Sequence, residues 1–274
     1  MLLSLKNKTL DLSTPAVMGI LNVTPDSFFD GGKYKDENSI LLHAEKMISE
    51  GADILDIGAC STRPNAKMIP EEEELNRLIP AIKLVRKKFP LTIISADTFR
   101  SKVAYLSVNE GADMVNDISG GTMDEKMFET VGRLKVPYVL MHIKGTPQTM
   151  QKDPQYKNVT DEVTNYFKEK IHLAVKNGIK QIILDPGFGF GKNVEHNYQL
   201  LKELATFKEF EFPILVGVSR KGMINKVLGT KPEEALNGTT VVNTIALMNG
   251  ANILRVHDVK EAKEAVKIFN FTLK

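Results

Sequence analysis

LTIISADTFRSKVAYLSVNEGADMVNDISGG, residues 91–121, decides the fold. TIISAD is a short apolar run ending in Asp97, residues 100–109 carry helical periodicity, and MVND is a second apolar run ending in Asn116 and Asp117. A short apolar run bounded by turn signals fits a strand buried on both faces, which occurs where helices cover a parallel sheet. The same grammar recurs outward in both directions: VMGILN to Asn22, DILD to Asp56, YVLMH to His142, IILD to Asp185, ILVGVSRK to Lys221, and ILRVH to Arg255 and His257. Between Ala16 and Ile253 the strand starts recur about every 34 residues with helical gaps, as repeated βα units require. Eight units predict an α/β fold, a (β/α)8 TIM barrel, whose strands all end on one rim. Polar residues at those ends would share a pocket.

The chain has 274 residues, near the roughly 250 of one such barrel, so 1–274 is expected to form a single domain. A net charge of +2, from 36 basic and 34 acidic residues, gives no global field for nucleic acid, so any anion must be held locally. Cys60 is the only cysteine, which excludes an intrachain disulfide and a cysteine-rich zinc site and fits a reducing cytoplasm. The opening MLLSLKNKTLDLS is too soon interrupted by Lys6, Asn7 and Lys8 for a secretory segment, and nowhere do about 18 apolar residues run together, so no membrane association is expected.

Residues 2–12 read as a short β-hairpin turning at Asn7-Lys8 that closes the bottom of the barrel. Helices are expected over about 37–50, 71–88, 100–109, 124–132, 160–177, 194–206, 232–249 and 259–269. Pro70 before Glu71-Glu72-Glu73-Glu74 places acids in a first turn, where the helix dipole favours them; successive helical positions face different ways, which argues against a metal cluster. The connections 23–36 (VTPDSFFDGGKYKD) and 60–70 (CSTRPNAKMIP) are longer than a barrel requires and suit substrate loops or lids, and 144–160 is a third long connection.

At the strand ends, Asp185 in ILDPGFGFGK can accept two hydrogen bonds from a planar N–H/NH2 edge, or it can cap its own turn. Gly187, Gly189 and Gly191 with Lys192 look like a phosphate loop but fail its pattern, since Pro186 and Asn193 stand at required positions. Arg255 and His257, two apart on a strand, point the same way and with Lys221 can form an anion clamp, although His257 taken alone reads equally as a satisfied structural histidine. Asn22 can ligate Mg2+ alongside substrate phosphates, or serve an Asx turn before Pro25. Asp56, Asp97 and Asn116 complete the ring.

ILNVTPDSFFDGG (20–32), DIGACSTRP (56–64), SADTFR (95–100), VNDISGG (115–121), MHIKGTPQTMQ (141–151), DPGFGFGK (185–192), GVSRKGMI (217–224) and RVHDV (255–259) closely resemble the dihydropteroate synthases, a family of pterin-binding barrels and the sulfonamide targets of folate synthesis. The resemblance implies a homodimeric transferase that condenses 6-hydroxymethyl-7,8-dihydropterin pyrophosphate with 4-aminobenzoate, with Mg2+ as cofactor and sulfonamides as inhibitors. Carried over motif by motif, it implies a pterin pocket of Asp97, Asn116, Met141, Asp185, Lys221 and Arg255. It implies an aminobenzoate site of Phe28, Thr62, Arg63, Pro64, Ser219 and Lys221. Pyrophosphate would fall to Asn22, Arg63, Arg255 and His257, metal ligation to Asn22, and catalysis to Asp56, Asp97, Lys221, Arg255 and His257. The chain departs from the family pattern at Phe29, Cys60, Asn65 and Gly222. A methyl-transferring pterin barrel would need a corrinoid domain or partner, for which there is no room, and a non-catalytic pterin sensor would lack the anion clamp.

Overall fold

The computed structural model describes residues 1–6, 8–23, 33–60 and 68–273, with the backbone alone for 33–36. After a hairpin of β1 (Leu2–Ser4) and β2 (Thr9–Asp11), eight parallel strands follow: β3 (Ala16–Asn22), β4 (Ile54–Gly58), β5 (Ile93–Asp97), β6 (Met114–Asp117), β7 (Tyr138–Met141), β8 (Ile182–Asp185), β9 (Leu215–Val216) and β10 (Ile253–Val256). Their order in the sheet is β8-β7-β6-β5-β4-β3-β10-β9. A parallel bridge between Leu184 and Ile214, with the Leu184 N–H donating to Pro213 O at 2.8 Å, closes the ring. This is the TIM barrel that the strand grammar predicts.

Strand side chains alternate between faces, so each strand sorts its residues into an inner and an outer set. Leu55, Ile57, Ile94, Ala96, Val115, Tyr138, Leu140, Ile182, Leu184, Val216, Leu254 and Val256 face outward into the helix layer. Met18, Ile54, Ile93, Met114, Val139, Ile183, Leu215 and Ile253 point inward, one from each strand, and form a separate apolar floor. One step of the alternation further along each strand stand Ile20, Asp56, Ser95, Asn116, Met141, Asp185, Gly217 and Arg255. The same period that makes the floor apolar therefore delivers the polar ring to the layer above it.

The hairpin seals the lower end. Leu3, Leu5, Leu10 and Leu12 are buried against the floor residues, each worth about 1.5–3 kcal/mol of burial. Ser4 and Gln181 exchange two hydrogen bonds, 2.6 and 2.7 Å, which tie the hairpin to β8.

The helices are α1 (Lys33–Ser49), α2 (Glu71–Lys88), α3 (Ser101–Asn109), α4 (Met127–Leu134), α5 (Val159–Lys176), α6 (Val194–Lys202), α7 (Gly222–Leu228), α8 (Leu236–Met248) and α9 (Val259–Thr272). Four expectations change. α1 begins at Lys33 rather than near 37, shortening the first connection. The stretch 194–206 ends as α6 at Lys202 and passes into a 3-10 helix, Leu204–Phe210, where Phe207 packs edge-on against Phe167 at 5.5 Å. The stretch 232–249 is a 3-10 turn, Pro232–Glu234, before α8. α4 starts at Met127 because Asp124 instead accepts the N–H groups of Ser101 and Lys126, at 2.7 and 2.9 Å. Of the four acids opening α2, Glu74 is fully buried and pairs with Arg100, while Glu71 and Glu73 pair with Lys102 and Arg77, as a dipole-favoured turn rather than a metal site would have it.

Candidate active site at the carboxyl rim

Arg255, from β10, reaches across the barrel mouth. Its Nε donates to Asp56 Oδ2 at 2.6 Å and its Nη2 to Asp97 Oδ2 at 2.7 Å. Asn116 Nδ2 donates to the same Asp56 oxygen at 2.9 Å, joining β4, β5, β6 and β10 in one buried network. Asp56 Oδ1 is buried and meets no donor among the described residues. Burial pushes the Asp97 carboxyl up to about 7, with Arg255 opposing and Asp56 adding to the rise. Burial alone would disfavour the Arg255 cation, yet Asp56 and Asp97 more than offset it and hold its pKa above the ordinary value.

Asp185 lies buried at the end of β8. Its Oδ1 accepts the Gly187 N–H at 2.8 Å, so the carboxylate caps its own turn, and its second oxygen keeps lone pairs that a planar N–H/NH2 edge could use. Burial raises its pKa, and Lys221 is the chief opposing charge. Lys221 donates to Phe188 O and stands 4.6 Å from the Phe190 ring centroid. Burial lowers its pKa to about 8, Asp185 opposing and Arg255 reinforcing. A Cβ built on Gly217 would lie 3.8 Å from Arg255 Cβ and 4.0 Å from Lys221 Nζ, so two cationic side chains flank one point that glycine keeps open.

Ser219 Oγ lies 3.2 Å from His257 Nδ1 and accepts the His257 backbone N–H at 3.2 Å. His257 itself is exposed at the rim, and Asn22 is half-buried at the end of β3. Met141 is buried in an apolar cluster with Cys60, Phe99, Ile118, Ile143 and Met150, against which Phe190 packs. Burial raises the Cys60 thiol pKa, the Ile69 backbone opposing, which favours the neutral thiol.

The structure thus brings Asp56, Asp97, Asn116, Met141, Asp185, Lys221 and Arg255 to one mouth, with Asn22, Ser219 and His257 at its edge. Phe28, Phe29, Thr62, Arg63, Pro64 and Asn65 lie outside the described residues. Two of the Arg255 donors, Nε and Nη2, are committed to Asp56 and Asp97. Sequence reasoning missed Lys192. Its buried ammonium donates to Gly187 O and Phe190 O at 2.9 and 3.1 Å and lies 2.9 Å from His142 Nδ1, stapling the loop below Asp185. Burial holds the Lys192 pKa well below its usual value, with Asp185 opposing. In the sequence, GFGFGK offers only a failed phosphate-loop match, which does not mark its lysine as one turned under its own glycines.

No cluster of three or more His, Cys, Asp or Glu side chains able to hold a metal occurs among the described residues. Asn22 offers one side-chain oxygen at the rim, a donor type that suits Mg2+. No helix of the described residues is long and apolar enough to cross a membrane.

Residues 18–257 match the model of the pterin binding enzyme family. The dihydropteroate synthase of Escherichia coli K12 is 46% identical over 267 residues, covering 97% of this chain and 94% of that protein. A Yersinia pestis dihydropteroate synthase solved as a sulfonamide drug complex superposes with a TM-score of 0.93 at 43% identity, covering 100% of this chain and 99% of that one. A Xanthomonas albilineans dihydropteroate synthase solved with 4-aminobenzoic acid gives 0.92 at 38% identity, covering 99% and 98%.

Proposed function

The chain belongs to the pterin-binding enzyme family, and from that premise we propose that its rim carries out dihydropteroate synthesis. The reaction is an alkyl transfer to an arylamine: the amine of 4-aminobenzoate displaces pyrophosphate from the methylene of 6-hydroxymethyl-7,8-dihydropterin pyrophosphate. One observation carries the reading. Acids able to grip a heterocycle and cations able to grip a diphosphate share one mouth, where Arg255 bonds Asp56 and Asp97 at 2.6 and 2.7 Å.

Asp185 and Asn116 hold the pterin by hydrogen bonds, Met141 walls it, and Arg255 stacks on it. The methylene is attached to an electron-rich ring, so its bond to oxygen breaks ahead of attack and positive charge develops there. Asp97 and Asp56 face that charge as preorganised carboxylates. Arg255 and His257 stabilise the departing pyrophosphate together with Asn22 and Arg63. Ser219, Lys221, Phe28, Thr62, Arg63 and Pro64 border the aminobenzoate, whose weak amine needs placement and exclusion of water more than a strong base. Asn22 would be the residue to hold Mg2+, which when bound would supply charge neutralisation for the leaving group.

Residues 1–274 act as one catalytic unit in the cytoplasm. The active form is a homodimer: Val241, Ile245 and Met248 expose one apolar face of α8, and Ile268 and Phe271 expose another on α9. The test is incubation with dihydropterin pyrophosphate, aminobenzoate and Mg2+. Pyrophosphate release that requires aminobenzoate and is blocked by a sulfonamide is expected; tight pterin binding without turnover would refute the reading.

A further inference from the structure

Arg220 lies between two site residues, Ser219 and Lys221, yet its own side chain leaves the barrel mouth. Its backbone has φ 57°, the left-handed region that costs a residue with a Cβ free energy. Compensating contacts surround it. Nε and Nη2 form a bidentate pair with Asp258, at 2.9 Å to Oδ2 and 2.8 Å to Oδ1. Nη1 donates to Pro232 O and Glu233 O at 2.9 and 3.2 Å, and the Arg220 N–H donates to Thr239 Oγ1 at 3.0 Å.

Asp258 stands at the N-cap of α9 but makes no side-chain cap bond there, although aspartate is among the favoured capping residues. Its carboxylate is committed to Arg220 instead. One residue earlier in both segments, Ser219 meets His257 at 3.2 Å. Two successive cross-links, 219 to 257 and 220 to 258, therefore register the loop after β9 against the loop after β10. Lys221, on the far side of Arg220, is aimed back at Phe188 O.

We propose that Arg220, through Asp258, is a positioning residue that pre-assembles the anion-binding side of the mouth. It holds His257, which the functional reading assigns to the diphosphate, together with Ser219 and Lys221 at the adjoining aminobenzoate edge, in place before any ligand arrives. The inference rests on the functional reading for the identity of the anion, a diphosphate.

Asp258→Asn gives a test in which two explanations differ in sign. Removing a negative charge near an anion site should tighten pyrophosphate binding if charge alone matters, and weaken it if the clamp positions the donors. Asparagine is itself a good N-cap residue, so the fold is retained. Calorimetry with inorganic pyrophosphate is expected to show about tenfold weaker binding, while a dihydropterin lacking the diphosphate binds within about twofold of the parent. Arg220→Gly, which takes the left-handed backbone without strain, is expected to lose the same, and the double variant no more than either alone. Asp258→Asn binding pyrophosphate as tightly as the parent would overturn the inference. So would equal loss of both ligands, recovery of affinity in Arg220→Gly, or a parent that binds no pyrophosphate. A parent that binds pyrophosphate but releases none from dihydropterin pyrophosphate and aminobenzoate would instead overturn the functional reading.

Discussion

Asp97 is the residue where position and titration bear most directly on chemistry. With its pKa pushed to about 7 by burial, the free protein loses the carboxylate as pH falls through that value. The kcat/KM profile is therefore expected to show an acid limb near there. Asp97→Asn should flatten that limb and lower kcat about a hundredfold, while the Kd for dihydropterin pyrophosphate changes much less, because the charge acts on the developing cation. An unchanged kcat would overturn this role. Stability has its own sign. Between the ordinary 3.8 and about 7 the folded chain holds a proton that the unfolded chain has released, so stability contributed by this group falls as pH rises across the window. Thermal melts of the ligand-free protein should show Asp97→Asn gaining more at the top of that window than at its bottom. Residues of this kind were legible in the sequence because strand period two fixes which face each occupies. The Lys192 staple was not, since a buried lysine is recognisable only once its three acceptors have been brought together.

At the scale of one element, the loop from Asp185 to Lys192 and the start of α7 make opposite predictions for the same substitution. Gly187 has φ +72°, and a Cβ there would fall 1.9 Å from His142 O. Gly187→Ala is expected to cost more than the roughly 1–3 kcal/mol of backbone strain alone and to abolish the Gly187 N–H bond that orients Asp185. Calorimetry should then find pterin affinity lost together with a lowered Tm. Gly222, one of the positions that depart from the family pattern, has nothing among the described residues within 4 Å of a built Cβ. Gly222→Ala should raise stability by up to about 1 kcal/mol with no change in pterin binding; a lowered Tm would contradict the open space. Helix interiors were legible from periodicity, but their ends were set by other forces. Lys33-Tyr34-Lys35-Asp36 continues a helix without an apolar stripe, and Phe207 turns the end of α6 into a 3-10 helix by packing on Phe167. Pro232 likewise opens a separate turn before α8.

For the molecule as a whole, the barrel and its hairpin stopper were readable because both depend on repeated burial. An apolar floor is continuous only if every strand keeps the same register. Quaternary structure follows a weaker rule, since exposed apolar residues become informative only when they gather. Val241, Ile245 and Met248 recur at helical spacing on α8, and Met248 and Phe271 are 72% and 74% exposed. A stable dimer needs about 800 Å² from each partner, which such faces can supply with a polar rim. Ile245→Glu with Met248→Glu places charge at the centre of that face while leaving the barrel interior untouched. Sedimentation should then shift from dimer to monomer. The polar network of Arg255, Asp56, Asp97 and Asn116 comes from one chain, so the monomer is expected to keep pyrophosphate release per chain. A variant that stays dimeric would remove α8 from the interface, whereas a folded monomer without turnover would mean that the second copy completes the site.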